Sequence, residues 1–298
     1  MPSARRTTRR AGHGAFSLGY TAFLRGHLRD AARWFAEADL HFERHDTFGS
    51  LLHVRAMRVG VDFFSGDRDA ALASRDLLRA TLDGRSPRSS QMPYVARAEG
   101  WAARVAGDAE GAARLLAEAE ALDEMPLYAS QLVYEALRAG ASARSLLARQ
   151  ERLAARSDAR LAAAYLAHTR ALAAKDGPGL LAVADEMEAI GALRYAMEAA
   201  VHAASTFADA ARDDSARRAA SRAQDLHDPE QGGAAPRIPG LDPTAVVLTA
   251  REAQIPDLAR RGMTNAEIAQ QLVLSVRTVE AHLYRAMHKL GVSDRRLL

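Results

Sequence analysis

Hydrophobic and polar residues alternate with a helical period over most of the chain. Residues 14–226 are rich in Ala, Leu and Arg and contain few β-branched residues. Alanine has the highest helix propensity, and the period-two runs of Val, Ile or Thr that are typical of strands are missing. The pattern therefore predicts an all-α protein in which this long segment is helical.

A short motif recurs inside the helical segment: a Gly, an Ala five residues later, a larger side chain at +9 and often an Ala at +12. Its members are Gly26, Ala31, Phe35 and Ala38; Gly107, Ala112, Leu116 and Ala119; Gly66 and Ala71; Gly177, Ala182 and Ala189; and Gly140. The glycines follow one another at intervals of 40, 41, 33 and 37 residues. Periods of about 34–47 residues belong to stacked helix pairs. We expect a tetratricopeptide-like helical repeat array, with a plain helical bundle as the alternative.

The composition changes after this segment. Residues 227–243 contain four prolines and three glycines, which break helices. The chain is thus expected to comprise a disordered basic tail over residues 1–13, the array over 14–226, a linker over 227–243 and a second domain over 244–298.

Helix starts and stops are evident in the second domain. Thr249 with Glu252 and Thr264 with Glu267 have the spacing of capping boxes, and Ser275 is a third candidate N-cap. Left-handed stops are expected at Gly262 and Gly291, and a short turn over 273–275 indicates a helix-turn-helix arrangement. Pro256 falls inside the first of the three helices and predicts a kink there.

The helix over 275–290 has two faces. Its apolar stripe is expected to pack on Ile255, Leu258, Ile268 and Leu272, and comprises Val276, Val279, Leu283, Met287 and Leu290. The opposite face carries Arg277, Glu280, Ala281, Tyr284, Arg285 and His288. Such a helix fits a DNA major groove, although a merely solvated helix face would look similar.

The combined motifs decide between these two interpretations. They are Leu248-Thr249-x-Arg251-Glu252, Asn265-x-Glu267-Ile268-Ala269, Ser275-Val276-Arg277-Thr278-Val279-x-x-His282 and Lys289-Leu290-Gly291-Val292. Together they closely resemble the LuxR-type DNA-binding domain. The array, linker and terminal domain are similar to the C-terminal part of the large ATP-binding LuxR regulators and their MalT-like relatives. The ATPase module is not expected here, since a P-loop needs Gly-Lys-Ser/Thr and the two lysines, Lys175 and Lys289, follow Ala174 and His288.

The resemblance also implies roles for individual residues. Glu280, Ala281 and Tyr284 occupy the positions that face the bases. The candidates for phosphate contacts are Arg277, Thr278, Arg285 and Lys289, together with the amides near Ser275. Asn265 completes the expected DNA-binding set, whereas His282 lies beside the apolar stripe and is expected to pack structurally.

Composition and charge limit the remaining functions. The 298 residues include 40 Lys+Arg, 37 Asp+Glu and no Cys, which excludes disulfides and thiolate metal sites. From Thr244 onward, eight basic residues stand against five acidic ones, a modest signal for nucleic acid. His41 and His45 have metal-ligand spacing, but a zinc site needs a third protein ligand and nothing in the pattern singles out His53 for it, so we expect no metal. No Ser/His/Asp grouping and no paired carboxylates stand out, so we expect no cofactor and no catalytic site. The chain has no run of about 18 uncharged apolar residues, so we expect no membrane contact and a cytoplasmic location.

We therefore expect a sequence-specific transcription regulator that binds double-stranded DNA. Its array is expected to offer a groove to an effector, which would be a protein, a peptide or a small molecule. A homodimer is left open because only Asp294–Leu298 remain for a fourth helix. The alternative is an interaction scaffold whose helix-turn-helix end does not bind DNA productively.

Overall fold

The computed structural model describes residues 2–84, 86–108, 110–233, 254–256, 258–259 and 262–290, with the side chains of 2–10 and 285–290 left out. Every regular element in these ranges is helical, which confirms the predicted fold class. The helices of the long segment are α1 (Pro2–Leu24), α2 (Leu28–Arg44), α3 (Ser50–Ser65), α4 (Arg68–Leu82), α5 (Met92–Ala106), α6 (Gly111–Ala121), α7 (Pro126–Arg138), α8 (Ala143–Ala154), α9 (Arg160–Ala174), α10 (Gly177–Ile190), α11 (Leu193–Asp209) and α12 (Asp213–Asp225). A short 3₁₀ helix (Pro229–Gln231) follows, and α13 (Asn265–Leu272) and α14 (Val276–Leu290) lie in the C-terminal segment.

The twelve helices from α1 to α12 form six consecutive pairs, as the recurring motif predicts. Gly26, Gly66, Gly107 and Gly140 each lie in the turn between the two helices of a pair, with φ of +78°, +80°, +73° and +100°. Only glycine adopts this left-handed backbone without strain, which explains why the motif begins with it. The first helices of successive pairs, α1, α3, α5, α7 and α9, contact one another in order.

The motif is less accurate toward the end of the array. Gly177 is the first residue of α10, and Lys175 takes the left-handed conformation with φ +52°. Ala182 and Ala189 are exposed, because the buried face of α10 is formed by Val183, Ala184 and Met187 instead. The sixth pair has no glycine in its turn, where Ala211 has φ +55°.

Small residues allow neighbouring helices to approach closely. A Cβ atom added to Gly60 in α3 would lie 2.4 Å from the Trp101 ring of α5, and one added to Gly177 would lie 2.5 Å from the ring of Phe207. Ala31 and Ala38 of α2 are completely buried around Phe35, as the motif predicts. The separation between helices is therefore set by which positions lack a side chain.

The inner side of the array is filled by its own aromatic residues. Tyr134 of α7 stacks on Tyr165 of α9 at 4.3 Å, and Tyr195 of α11 meets both rings edge-on. All three are essentially removed from solvent. The sequence led us to expect a groove for an effector in the array, and these three helices are instead packed together through their aromatic rings.

A buried ion-pair network joins helices that are far apart in sequence. The Arg138 guanidinium donates to Glu198 of α11 through Nε, at 2.7 Å, and also to Glu135. Glu135 accepts a further hydrogen bond from Trp101 Nε1 at 3.0 Å. Burial raises the pKa of Glu198, but the guanidinium of Arg138 outweighs this and holds the pKa at about 2. Both carboxylates are in hydrogen-bonded contact with the network, as buried charges require.

The N-terminal residues differ from the expected disordered tail. Helix α1 begins at Pro2, so residues 2–13 are helical. Gly12 lies close to α2, where an added Cβ would be 3.0 Å from His41 Cβ, and the His13 ring meets Phe42 edge-on at 4.9 Å. The basic composition of these residues suggested a disordered tail, because composition alone does not reveal that Gly12 and His13 pack on α2.

The first part of the expected linker packs on the array. The Asp30 amide of α2 donates to Gln231 Oε1 at 3.4 Å, and Gly233 approaches Leu28. The residues 227–233 therefore run back toward the first helix pair. Residues 234–243 lie outside the described part of the chain.

We predict that Gly60→Ala lowers the free energy of unfolding by about 1–3 kcal/mol, because the added methyl group collides with the rigid Trp101 ring. Gly14→Ala is the matched control, since Gly14 is an exposed α1 residue with nothing within 4 Å of an added Cβ. This control should stabilise the protein by about 0.5–1 kcal/mol. Urea unfolding of both variants measures the difference, and equal stabilities would contradict the close approach.

We also predict that stability falls between pH 7 and pH 4. Burial, followed by the nearby His202, lowers the pKa of His168 to about 3. The ring nitrogens of His168 lie 2.6 Å from Tyr134 Oη and 3.0 Å from His202 Nδ1. Below the ordinary pKa of 6.5 the unfolded chain binds a proton that the folded chain does not, so acid favours unfolding. His168 should contribute a slope of about 1 kcal/mol per pH unit to the dependence of the free energy of unfolding on pH. In His168→Gln, urea unfolding at each pH should show a shallower slope; an unchanged slope would refute this assignment.

Candidate nucleic-acid interface

Helix α13 begins with a complete capping box, as its sequence predicts. Thr264 Oγ1 accepts the Glu267 amide at 3.3 Å, and Glu267 Oε2 accepts the Thr264 amide at 2.7 Å. The hydrogen bond from the Thr264 backbone, followed by that from its hydroxyl, lowers the pKa of the Glu267 carboxyl group. Two amides that the helix itself leaves unpaired are thereby satisfied.

A three-residue turn connects α13 to α14. Val273 ends α13 in the left-handed conformation with φ +53° and is 91% exposed. Ser275 then caps α14, since its Oγ accepts the Thr278 amide at 3.0 Å. The turn over 273–275 and the Ser275 cap are thus where the sequence predicts them. Gly262, with φ +87°, lies at the predicted stop before α13.

A separate hydrophobic core holds this segment together. Its buried members are Ile255, Leu258, Ala259, Ile268, Ala269, Leu272, Val279 and Leu283. The predicted packing of the α14 stripe on the two preceding helical segments is confirmed for Val279 and Leu283. Val276 is instead 43% exposed, because it is the first residue of α14 and precedes the turn that reaches the core. The side chains of Met287 and Leu290 lie outside the described set.

Four of the expected DNA-binding residues share one exposed face of α14. Arg277, Glu280, Ala281 and Tyr284 are all exposed, and Tyr284 retains 72% of its accessible surface. Their spacing of three, four and seven residues places them in one row along a helix. The buried Val279 and Leu283 orient this row away from the core.

The remaining residues of the expected DNA-binding set lie at the start of α13 and along α14. Asn265 is the half-buried first residue of α13, and the Thr278 hydroxyl lies 2.7 Å from Ser275 Oγ within the α14 cap. Arg285 and Lys289 lie on the helical backbone of α14, but their side chains are not among those described. His282 is half-buried beside the apolar stripe.

Several expectations fall on residues outside the described set. These are the Thr249–Glu252 capping box, the Gly291 stop and the last residues 294–298. Residues 254–256 and 258–259 are helical, but 250–253 and 257 are not described, so the kink at Pro256 stays a prediction.

The sequence contained no signal for the conformation of Val273. A left-handed C-terminal residue is usually Gly or Asn, and Val has no preference for it. The exposed Val273 side chain lies next to the N-terminus of α14. It therefore adds an apolar group to the end of the helix that carries Arg277.

The histidines with metal-ligand spacing have other partners. His41 Nε2 lies 2.9 Å from Glu37 Oε1, and His53 Nε2 lies 3.0 Å from the Ser90 carbonyl oxygen. Among the residues the structure describes, no three His, Cys, Asp or Glu side chains are grouped to hold a metal.

Two helices joined by a tight turn, with an exposed polar face on the second, define a helix-turn-helix domain. Residues 246–298 match the family model for bacterial regulatory proteins of the luxR family. The C-terminal segment is therefore a LuxR-family helix-turn-helix domain, as its motifs imply.

Two curated relatives match about a sixth of this chain. A 48-residue stretch is 44% identical to the transcriptional regulatory protein LiaR of Bacillus subtilis (strain 168), covering 16% of this chain and 23% of the relative. A 49-residue stretch is 45% identical to the oxygen regulatory protein NreC of Staphylococcus aureus (strain JH9), again covering 16% and 23%. The chain thus spans about a quarter of the length of these relatives. No solved structure matches the chain. Of the helices described, none is long and apolar enough to cross a membrane.

We predict that Thr264→Ala weakens the start of α13 by about 1 kcal/mol, because the Glu267 amide loses its acceptor. Hydrogen exchange at the first α13 amides of the full chain should accelerate about fivefold if exchange follows local opening. Thr264→Ser retains the hydroxyl and is the control. Equal exchange in the alanine and serine variants would show that the capping box contributes nothing.

Proposed function

We propose that this protein is a sequence-specific DNA-binding transcription regulator that reads the major groove with α14. The observation that carries the proposal is the exposed row on α14, located in a segment that matches the luxR family of bacterial regulatory proteins. Both named relatives are described as regulatory proteins, one of them transcriptional. An α-helix with its polar face free to enter is the element that a B-DNA major groove admits.

The α14 row divides into base-reading and phosphate-binding roles. Glu280 would accept a hydrogen bond from a cytosine amino group, and Ala281 would contact a thymine methyl group. Tyr284, which is 72% exposed, would reach a base edge or a phosphate. Arg277 would bind a phosphate near the start of the helix, where the first amides also favour an anion.

Arg285, Lys289, Thr278, Ser275 and Asn265 would complete the contact surface. Within the described cap, the Ser275 and Thr278 hydroxyls already interact with each other. Their role would therefore be to hold the N-terminus of α14 in position while its amides face the phosphate. A homodimer, which would read two half-sites, is part of the proposal and is tested by light scattering on the DNA complex.

The helical array would be the part that senses an effector. The packed Tyr134–Tyr165–Tyr195 cluster supports a rigid body rather than an open central groove. Recognition would then use an opening elsewhere on the array. The residues 227–233, which lead toward the DNA-binding segment, pack on α2 and would transmit the change.

A second candidate function is an interaction scaffold whose helix-turn-helix end does not bind DNA productively. The observation that favours it is the exposed carboxylate of Glu280 in the middle of the α14 row, since an anion there opposes phosphate binding. A scaffold of this kind would retain partner binding when the α14 row is neutralised.

Selection of duplexes from a random pool by the full chain distinguishes the two functions. A regulator should enrich a defined sequence, and its affinity should fall steeply with salt, by about 0.9 in log–log slope per phosphate contact. Enrichment of no sequence, with a salt slope near zero, would favour the scaffold.

We predict that Arg277→Ala weakens binding to all duplexes about equally and reduces the salt slope by about 0.9, because a phosphate contact is lost. Tyr284→Ala should change the preferred base at one position if Tyr284 reads a base edge, at a cost of about 1–3 kcal/mol on the selected site. Arg144→Ala is the charge-matched control, since Arg144 is exposed on α8 in the array. Electrophoretic mobility shifts over a salt series measure all three. Identical losses for Arg277→Ala and Arg144→Ala would contradict the assigned role of α14.

A further inference from the structure

A cavity of about 240 Å³ lies where the two ends of the array meet. Its wall is formed by the turn between α1 and α2, the C-terminal end of α3, the start of α11 and the segment that follows α12. Residues far apart in sequence, such as Gly26 and Gly233, thus line the same space. The cavity is distinct from the α14 row and from the packed inner surface.

The charged groups of this wall are mainly cationic. Arg25, Arg104 and Arg194 line the cavity, whereas Asp228 is the carboxylate among its lining residues. Arg25 and Arg104 are exposed, and the Arg104 guanidinium lies over the ring of Phe63 at 5.3 Å. A cavity with this charge balance attracts anions.

Arg194 is the buried member of this group. It retains only 8% of its accessible surface, and its Nη2 atom has no hydrogen-bond partner among the described residues. The nearest carboxylate oxygen, Glu198 Oε1, is 4.0 Å away and already accepts from Arg138. The guanidinium instead lies over the Phe64 ring at 3.0 Å and near that of Phe23 at 5.2 Å.

The surrounding network compensates this charge only in part, since the Glu198 carboxylate lies 4.0 Å from Arg194 Nη2. Three buried guanidinium groups, those of Arg97, Arg138 and Arg194, stand against the carboxylates of Glu135 and Glu198. Burial, followed by repulsion from Arg138, lowers the pKa of Arg194 to about 10, so the group remains charged at neutral pH. A buried cation without a hydrogen-bonded anion is costly, and an anion bound to this guanidinium group would relieve this cost.

The rest of the wall is apolar. Leu28, Phe63, Leu193, Met197 and Leu226 supply aliphatic, aromatic and thioether surface around the guanidinium groups. A few charged groups set in an apolar wall are typical of sites for small organic molecules. An inorganic ion alone would leave this apolar surface unused.

We propose that this cavity binds a small organic anion, with its carboxylate or phosphate group on Arg194 and its apolar body against Phe63 and Met197. The inference rests on the proposed function, because it identifies the chemical class of the effector. The bound molecule would join α1, α3 and α11 to residues 226–233 and so strengthen the packing of the segment that leads toward the DNA-binding domain. Effector binding and DNA binding would be coupled through that segment.

The test uses naphthalene-2-carboxylate and its neutral analogue naphthalene-2-carboxamide, which have similar shapes. Calorimetric titration of the full chain without DNA should show the carboxylate binding at least tenfold more tightly. Equal affinities, or no binding of the carboxylate at millimolar concentration, would overturn the proposal. Because the titration contains no DNA, neither result bears on the proposed function, which is tested separately by the selection of duplexes from a random pool.

Arg194→Met should abolish the preference for the carboxylate while preserving the length of the side chain. Because Arg194 also packs on Phe64, a second variant at the exposed rim, Arg104→Met, guards against loss of folding and should weaken carboxylate binding about threefold to tenfold. Arg144→Met, on α8 away from the cavity wall, is the matched control and should bind like the unaltered chain. Unchanged carboxylate affinity in folded Arg104→Met and Arg194→Met would place the binding elsewhere and refute the site.

The coupling has its own readout. Duplex affinity of the full chain should change at least threefold when naphthalene-2-carboxylate is present, and Arg194→Met should remove that change. Carboxylate binding with an unaltered duplex affinity would support the site and refute its regulatory role.

Discussion

The structure of the array depends on the ion pairs that Arg138 makes in its interior. This one guanidinium binds Glu135 on its own helix and Glu198 on α11, and it also lies over the rings of Phe64 and Tyr195 at 5.0 and 5.2 Å. It therefore connects α3, α7 and α11, which belong to three different helix pairs. Removal of one partner would leave a buried charge uncompensated, which costs several kcal/mol.

The same packing explains where a ligand can bind. Tyr134, Tyr165 and Tyr195 are buried against one another, so the space between α7, α9 and α11 is filled by these rings. Glu135 and Glu198 both form ion pairs with Arg138, whereas the neighbouring Arg194 has no hydrogen-bonded anion. Arg194 is one of the residues that line the cavity between the first pair and the residues after α12. The ion pairs of Arg138 thus both stabilise the interior and leave Arg194 available to an anion in the proposed cavity.

Local sequence rules accounted for much of the architecture. The recurring glycines predicted the turns at Gly26, Gly66, Gly107 and Gly140, because a left-handed turn residue is a local requirement. The capping box at Thr264 and the cap at Ser275 were predictable for the same reason. The predictions weakened where the local rule was not followed. Ala211 and Val273 adopt left-handed conformations that neither residue type favours, and the register of α10 is set by Val183 and Met187 rather than by the expected alanines.

The sequence by itself determined the helical content, the pairing of helices and the LuxR-type motif with its exposed α14 row, because helix periodicity and capping act over a few residues. Only the tertiary structure decided which buried charges meet, that α1 extends through the basic N-terminal residues, and that residues 227–233 return to α2. Arg194 illustrates the difference, since in the sequence it is one of many arginines. Its missing partner and its place in the cavity wall result from contacts across some 170 residues, from Phe23 to Arg194, which no local pattern encodes.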